Sequence, residues 1–364
     1  MMWSVVKEEW RAVWHDEGVA LIVVFALFIY GISYSLGYGG EVLTEVPIAV
    51  VEGEQGAKSR ELVRMFDASP QLRVAYEVTD MAEAERLLRE RRVWGVVALS
   101  PDLERDILSG QQAHVAIVGD ASYFLAYREV VEGTVAAIQQ MNEQIVVERE
   151  GKYNPPIIYE QRNLFNPSLG YGVFVMPAII LLILQQTALI GVGMVSATRR
   201  ERGLRYKSNS AFAVTLARTM VYLTIYALTL GFMLTVHYSL FDYPMRGEWW
   251  QCVAVILPYL LAVIFLAQAL GALFRRRESS IVWLLWLSIP FLLVSGVSLP
   301  PESFPQWLYI IGKAVPSSSA VDAWIAVQSR GATLTDIAPE LTLLCCLTLF
   351  YGAGAVVANR NSRE

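Results

Sequence analysis

The chain has 364 residues, of which 55% are hydrophobic and only 17% are charged, and its formal net charge is −5. This composition is too apolar and too poor in charge for an ordinary soluble protein of this length, so it predicts a membrane protein. Cys252, Cys345 and Cys346 all lie in apolar runs without CxxC or Cys/His spacing, which favours packing residues over a metal or redox motif.

Residues 1–18 predict an amphipathic helix that lies in the membrane interface, where Trp side chains prefer the headgroup level. The apolar residues that recur at helical spacing are Trp3, Val6, Trp10, Val13 and Trp14. An ordinary extension of the first span is the alternative. Residues 19–37 are interpreted as a retained signal anchor and first transmembrane helix, because the leader is mixed in charge and no clear cleavage site follows.

The fold class predicted for the whole chain is a membrane α-helical protein with six transmembrane helices and an inserted α/β domain. A hydrocarbon core of about 30 Å requires about 20 apolar residues in a helix. Runs of this kind occur at 19–36, 171–196, 219–238, 252–274, 281–299 and 340–358, and the only charge in them is Glu340 at the start of the last.

Residues 38–170 are soluble in composition and lie between the first and second spans. Short apolar runs predict strands at 46–51, 72–78, 93–99 and 114–119. Helices are predicted at 57–68, 80–91, 102–109 and 121–149. Alternating strands and helices indicate a compact α/β domain. It carries no recognisable catalytic constellation, and His114 is interpreted as a structural residue.

The distribution of Lys and Arg in short loops places both termini in the cytoplasm. Residues 171–364 form the predicted five-helix domain. Its loops 197–212 and 274–280 are then inner loops, whereas its segment 299–339 and the inserted residues 38–170 lie outside. No GxxxxGK[ST] motif occurs in the sequence, so ATP hydrolysis is not expected on this chain.

Few polar side chains fall at membrane depth, and these are Gln185, Gln186, Thr187 and Gln268. They are either candidate pathway residues or helix-packing contacts worth about 0.6 kcal/mol each. Ionisable residues within the spans are confined to positions near their ends, such as Arg218. This pattern disfavours a proton-coupled carrier and suits an amphiphilic or lipid-like substrate.

The segment LVSGVSLPPESFPQWLYIIGKAVPSSSAVDAW at 293–324 is similar to the signature that follows the fifth span in permease subunits of the ABC-2 (type V) exporters with a large extracytoplasmic domain. Its matching residues are Ser295, Gly296, Pro300, Pro301, Pro305 and Pro316. Helix-breaking residues at the interface, followed by apolar WLYIIGKAV, predict a short helix along or into the membrane. This segment is either an outer gate or a reentrant packing loop.

The inner loop ATRRERGLRYKSNSAF at 197–212 carries the second match. Arg200, Glu201, Arg202 and Gly203 resemble the start of the family's coupling helix, which docks on an ATPase subunit. Leu204 and the basic run that follows depart from the family pattern. Positive-inside charge alone is the alternative for the arginines, whereas Glu201 is expected to pair with a basic residue or to cap a helix.

The second inner loop contains Arg275, Arg276, Arg277 and Glu278, and Glu278 is a further candidate ATPase contact. The resemblance implies a permease subunit of an ATP-driven exporter in the bacterial cytoplasmic (inner) membrane. Its expected partners are an ABC ATPase that holds ATP and Mg²⁺, a second permease chain (itself or a sibling), a periplasmic adaptor and membrane lipid, without nucleic acid or a cofactor on this chain. The alternative is a membrane-anchored sensor or assembly factor.

Overall fold

The computed structural model of the protein describes residues 2–37, 43–53, 56–119, 124–150, 171–206, 208, 210–297 and 304–361. The chain divides into two compact units, one of Met1–Gly39 with Asn163–Glu364 and one of Gly40–Arg162. The first contains the helices that are both long and apolar enough to cross a membrane, and the second is an α/β unit.

The chain begins with a helix that stops just before the first span. Helix α1 is Met2–His15, α2 is Glu17–Ala20 and α3 is Ala26–Gly37, with a π-helical turn at Leu21–Phe25 between the last two. Asp16 separates α1 from α2 and caps α2, since its side chain accepts the N–H of Val19 at 3.1 Å. Helix α1 is therefore a separate element from the helices of the first span, and its position in the membrane interface stays a prediction.

The α/β unit contains a four-stranded sheet among its described residues. Its elements are β1 Val46–Val51, α4 Ala57–Ala68, β2 Leu72–Val78, α5 Met81–Arg89, β3 Gly95–Leu99, α6 Leu103–Ser109, β4 Val115–Gly119 and α7 Phe124–Glu150. The strand order is β2-β1-β3-β4, with β1 parallel to β2 and β3, and β4 antiparallel to β3. The predicted strand and helix pattern is found within about one turn of each boundary.

The remaining helices belong to the membrane unit. They are α8 Tyr171–Glu201, α9 Ala211–Phe232, α10 Tyr238–Leu240, α11 Trp249–Gly271, α12 Arg277–Trp286, α13 Ser288–Val294, α14 Gln306–Lys313, α15 Pro316–Arg330 and α16 Ala338–Asn361. A π-helical turn at Met233–His237 joins α9 to α10.

Six helical segments among the described residues are long and apolar enough to cross a membrane. They are Glu17–Gly37, Val175–Glu201, Ala211–Leu240, Trp249–Gly271, Arg277–Val294 and Ala338–Arg360. The apolar window of α8 is 78% buried, against 17% in the segment of α12 and α13 and 17% in α16. Helix α8 is therefore the centre of the bundle, and it contacts α3, α11, α12 and α15.

The helix ends differ from the sequence prediction. Helix α8 continues through the charged residues up to Glu201, and α12 begins already at Arg277, so the connecting segments are 202–210 and 272–276 rather than 197–212 and 274–280. Charged residues are tolerated in the last turn of a membrane helix because their side chains reach the polar interface. The segment 299–339 is also mostly helical where it is described, since it contains α14, α15 and the start of α16.

A buried polar cluster joins α3 to the far end of the third span. The ring Nε2 of His237 and the hydroxyl of Ser35 are 2.8 Å apart, and the hydroxyl of Tyr243 donates to Ser35 at 3.0 Å. Phe241 packs on the His237 ring with 4.9 Å between ring centres. This cluster fixes the first span against the third at the end of the bundle opposite α1.

Candidate functional site

The predicted docking residues lie at the end of α8. Arg200 and Glu201 belong to its last turn, and Gly203, with a φ of +64°, follows it. The N–H of Leu204 donates to the carbonyl of Arg199 at 2.8 Å, a closure that a left-handed residue after a helix permits. The described residues between α8 and α9 contain no separate helix, so these side chains are carried by a span itself.

Their side chains take different directions. Glu201 and Arg202 are exposed, whereas Arg200 is half-buried and donates to the carbonyl of Ala272 just after α11. A carboxylate oxygen of Glu201 accepts the backbone N–H of Arg277 at 3.5 Å. Glu201 therefore caps the start of α12 and not a separate coupling helix. The exposed part of its side chain is still available to a partner.

The second connecting segment is fixed to the start of the first span. Arg277 forms a two-pronged ion pair with Asp16, with 2.8 Å between Nη2 and Oδ1. The hydrogen bond from Arg277 is the main reason that the pKa of Asp16 lies below its usual range. The other charged residues predicted here, Arg275, Arg276 and Glu278, are exposed.

Helix α1 inserts a charged residue between the spans. Its buried stripe consists of Val5, Glu9 and Val13. The carboxylate of Glu9 is 0% exposed and accepts hydrogen bonds from Arg218 Nε at 2.9 Å, from the Tyr222 hydroxyl at 2.9 Å and from the Tyr206 hydroxyl. Three donors compensate the cost of burying this charge, so α1 is locked to α9.

The electrostatics of Glu9 follow from these contacts. Burial alone would raise the pKa of Glu9, but the charge of Arg218 and the hydrogen bonds from Tyr206 and Arg218 outweigh it. The pKa is therefore held below its usual range, and Glu9 is ionised at neutral pH.

A wider hydrogen-bond network surrounds Arg218. Its Nη2 donates to Ser196 at 2.7 Å and its Nη1 to the Asn359 side chain at 3.3 Å. Asn359 in turn donates to Gln268 at 3.1 Å, and Gln268 donates to Thr219 at 2.9 Å. The network joins α8, α9, α11 and α16 to α1 and includes Gln268, which was predicted as either a pathway residue or a packing contact.

Sequence patterning does not identify Glu9, and it marks Arg218 only as a residue near a helix end. The available signal was spacing, since Val5, Glu9 and Val13 are four residues apart and share one face. Three tryptophans at helical spacing on a different face gave a stronger pattern. They are Trp3, Trp10 and Trp14, and all three are exposed.

The polar residues of the second span also have protein partners. Gln185 accepts the N–H of Ser317 in the first turn of α15 at 3.0 Å. Gln186 donates to the carbonyl of Leu284 at 2.5 Å, and Thr187 donates to that of Leu184 at 3.0 Å. These contacts place Gln185 as a substitute N-cap for α15, a helix whose N-cap residue Val315 has no side-chain acceptor.

The predicted gate segment begins at the end of α13 and returns as two helices. Ser295 donates to the carbonyl of Leu292 at 2.6 Å, and Gly296 has a φ of +81°. Pro305 precedes α14, and Pro316 is the first residue of α15. The short apolar helix expected here is α14, while Pro300 and Pro301 lie outside the described residues.

Helix α15 is buried along most of its length. Trp324 is among the largest fully buried side chains, and Ser318 donates to the carbonyl of Val294 at 2.9 Å. Helix α14 instead exposes the apolar residues Trp307, Ile310 and Ile311. The segment thus combines a packed helix with an apolar, uncovered one.

Two open cavities flank α8. The first, the apolar groove, has a volume of about 550 Å³ and lies between α3, α8, α12 and α13, with Tyr30, Ile183, Gln186 and Ile289 among its lining residues. The second, the charged cleft, has a volume of about 560 Å³ beside α1 and the end of α8. Its charged lining residues are Glu8, Arg11, Asp16, Glu17, Arg199 and Arg202, and His15 also lines it.

Comparisons with known proteins agree with this architecture. The model of the "ABC-2 family transporter protein" family matches residues 18–357. The chain is similar to the "Probable multidrug ABC transporter permease YbhR" of Escherichia coli (strain K12), with 18% identity over 358 residues, which cover 97% of this chain and 96% of that protein. It is also similar to the "Inner membrane transport permease YhhJ" of the same strain, with 23% identity over 357 residues, covering 94% and 93%.

The family match spans all six apolar helices and the α/β unit between the first two. Identity to the individual relatives is low, so they indicate a kind of protein and not a substrate. The chain belongs to the ABC-2 family of transporter proteins, and its architecture is that of a multi-pass transport permease.

Proposed function

We propose that the chain is the transmembrane permease subunit of an ATP-driven ABC exporter that moves an amphiphilic or lipid-like molecule or drug outward. The observation that carries the proposal is the family match over residues 18–357 of a chain whose six apolar helices form one bundle. The relatives described as a multidrug permease and as an inner membrane transport permease support the substrate class and the bacterial inner membrane. The positive-inside pattern supports cytoplasmic termini and an extracytoplasmic α/β unit.

An ATPase subunit is proposed to dock at the α1 end of the bundle, with ATP and Mg²⁺ bound on that partner. ABC-2 permeases generally work with an ATPase. Glu201 and Arg202 are exposed at the end of α8, and Arg202 also lines the charged cleft. Side chains of both signs around one cleft suit a protein partner with complementary charges.

Docking at this site acts directly on the central helix of the bundle. Because Arg200 and Glu201 are part of α8, a displacement at this end is transmitted along a rigid element. The contacts of Arg200 with Ala272 and of Arg277 with Asp16 tie α11, α12 and the first span to the same point. We propose this as the route by which ATP-driven closure reaches the pathway.

The pathway is proposed to run along the apolar groove between the second and fifth spans of two permease chains. Gln185, Gln186 and Thr187 line this groove but are engaged in contacts within the chain, so most surface that a substrate meets there is aliphatic or aromatic. Gln268 is buried in the network around Arg218 and does not line the groove. This lining suits an amphiphilic cargo. The segment from Ser295 to α15 is the proposed outer gate, and the α/β unit is the proposed binding site for a periplasmic adaptor.

Affinity purification of the tagged chain from its own host tests the proposal. An ATP-binding subunit should copurify and be lost from the Glu201→Arg and Arg202→Glu variants, together with transport-coupled ATP hydrolysis. Asp242→Lys, an exposed charge reversal at the opposite end of the third span, is the matched control and should leave the complex intact. Loss in all three variants, or an ATPase absent from the wild-type preparation, contradicts the proposal.

A further inference from the structure

A small pocket at the α1 end of the bundle is lined by four arginines. We call it the arginine pocket, and it lies where α8 and α11 end and where α9 begins. Its lining residues are Ser196, Arg199, Arg200, Leu204, Arg205, Tyr206, Arg218, Ala272 and Asn359. The pocket is separate from the charged cleft, although Arg199 and Leu204 line both.

The pocket has an excess of positive charge. Among its described lining residues there are four guanidinium groups and no carboxylate. Two carboxylates of α1 pair with two of the arginines, Glu8 with Arg199 at 3.1 Å and Glu9 with Arg218 at 2.9 Å. Arginine clusters of this kind bind phosphate oxygens through charge-assisted, often bidentate hydrogen bonds.

The guanidinium groups are held in place before any ligand arrives. Arg199 stacks on the ring of Tyr206 at 3.7 Å from its centre, and Arg218 is fixed by Glu9, Ser196 and Asn359. Among the described residues, the buried Nε–H of Arg199 has no hydrogen-bond acceptor. A buried donor without a partner is costly. Because Arg199 lines the pocket, an oxyanion bound there would place acceptor oxygens beside its guanidinium group.

The size and depth of the pocket fit one phosphate group. Its volume is about 50 Å³, whereas a single water occupies about 10–15 Å³ of such volume, so the pocket holds roughly the oxygens of one phosphate. The surrounding helices end here, which places the pocket at the level of lipid headgroups. Basic pockets between membrane helices bind anionic headgroups in this way.

We infer that the arginine pocket binds a phosphate group, and that its source is the headgroup of an anionic phospholipid. Arg199, Arg200 and Arg205 bind the phosphate oxygens, while Arg218 adds positive charge at the base of the pocket. The acyl chains lie in the bilayer beside the helix ends. The inference requires a membrane-embedded chain and this pocket, and it does not depend on export or on an ATPase.

Lipid titration of the full-length permease, purified without any ATPase in a neutral detergent, tests the inference. Phosphatidylglycerol and phosphatidylcholine are the two lipid probes, and binding is followed by native mass spectrometry. Phosphatidylglycerol should bind more tightly, and Arg205→Gln should weaken it about fivefold, since one basic residue near an anionic surface contributes about that factor. Arg205 is exposed, so this variant is expected to fold.

Three further measurements decide the assignment. Arg205→Lys should restore most of the phosphatidylglycerol affinity, whereas Arg202→Gln, in the same segment but outside the pocket, should leave it unchanged. An equal loss in Arg202→Gln, or equal binding of the two lipids, overturns the site. Inorganic phosphate that displaces the lipid at millimolar concentration, with the same dependence on Arg205, assigns the pocket to soluble phosphate and overturns the lipid source.

Discussion

Glu9 shows how one side chain fixes helix α1 to the bundle. A buried carboxylate is unfavourable by several kcal/mol unless its partners are well placed, and Glu9 has Arg218, Tyr222 and Tyr206 as donors. The same interaction makes the burial of Arg218 within α9 tolerable. The ion pair and the aromatic hydroxyls therefore decide where α1 lies, while its exposed tryptophans favour the membrane surface.

Replacing Glu9 by Gln should destabilise the protein strongly. The change leaves Arg218 as an uncompensated buried charge, which typically costs about 3–5 kcal/mol. Thermal unfolding in detergent at neutral pH should show a clear drop in midpoint. Because the pKa of Glu9 is lowered, its contribution is present above about pH 4.3 and is lost as the pH falls through the lower pKa of the folded state.

The matched control for this change is Glu8→Gln. Glu8 pairs with Arg199 at 3.1 Å, but its side chain is 24% exposed, so the loss should be about 1 kcal/mol or less. A double variant that also carries Arg218→Gln should be less destabilised than the sum of the single changes. Equal losses from Glu8→Gln and Glu9→Gln would contradict the assigned role of Glu9.

Glu52 in the α/β unit is a buried acid with the opposite shift. The residue is 6% exposed, and one of its carboxylate oxygens has no hydrogen-bond partner among the described residues. Burial and the nearby charge of Glu77 raise the pKa of Glu52, against the opposing hydrogen bond from Ser59. Between the pKa of Glu52 in the unfolded chain and its higher pKa in the folded state, the folded protein therefore binds a proton at Glu52 that the unfolded chain releases.

The stability of the α/β unit should fall as the pH rises above about 4.3, where an unfolded Glu ionises, and level off above the higher pKa of the folded state. Glu52→Gln should remove this decline and protect β1 and β2 at neutral pH. Hydrogen exchange of peptides from these strands in the full chain, corrected for intrinsic rates, measures the effect. Glu90→Gln, an exposed acid at the end of α5, should leave the pH dependence unchanged.

At the scale of elements, apolar run length predicted the spans well, but it did not predict their ends. Arg199, Arg200 and Glu201 interrupt the hydrophobic run, yet basic groups are favourable at a helix C-terminus and the helix continues through them. Similarly, the prolines after α13 predicted a break but not that Pro316 would start a buried 15-residue helix. Its burial depends on contacts with distant segments, which local sequence does not encode.

Gln185 illustrates such a contact, and its replacement should weaken the packing of α15. Gln185→Met removes the acceptor for the N–H of Ser317, and a buried donor without a partner costs about 1–3 kcal/mol. Gln186→Met is the matched change, since it removes a donor to the carbonyl of Leu284, and a carbonyl tolerates the loss better. Thermal unfolding should therefore show the larger drop for Gln185→Met.

A substrate role for Gln185 gives a different outcome. If Gln185→Met unfolds at the wild-type temperature but changes which molecules are transported, the residue faces cargo and the capping interpretation is wrong. Normal transport by a destabilised variant agrees with capping.

At the scale of the whole molecule, the sequence was sufficient for the layout of spans, for the α/β insertion and for the family. The residues of the candidate site were harder to predict from the sequence, because most of their contacts join positions far apart in the chain. Glu9 and Arg218 are separated by 209 residues, and each taken alone is an ordinary charge near a membrane helix. Similarly, the sequence shows that Gln268 is a polar residue at membrane depth, but it does not show that Gln268 forms hydrogen bonds with Thr219 and Asn359 in other helices.

The sparse burial of the fifth span leaves an apolar surface that a second permease chain could cover. Only 17% of its apolar window is covered. Trp286 is 74% exposed, and Ile289, which lines the apolar groove, is 64% exposed. Helix α16 is equally uncovered, with Phe350 at 70% exposure, but it does not line the groove. If two chains enclose a pathway there, contact between chains should occur at Ile289 and not at Phe350.

Photo-crosslinking in native membranes distinguishes these two surfaces. A benzoylphenylalanine residue at position 289 should give an adduct with a permease chain, whereas position 350 should give lipid adducts or none. Mass spectrometry of the adduct separates a homodimer, in which the captured peptide is from this chain, from a pair with a sibling permease. Equal capture of a permease at both positions would mean that the fifth span is not a selective interface. The pathway would then have to lie within the helices of one chain, where Gln185 and Gln268 already form hydrogen bonds within the protein.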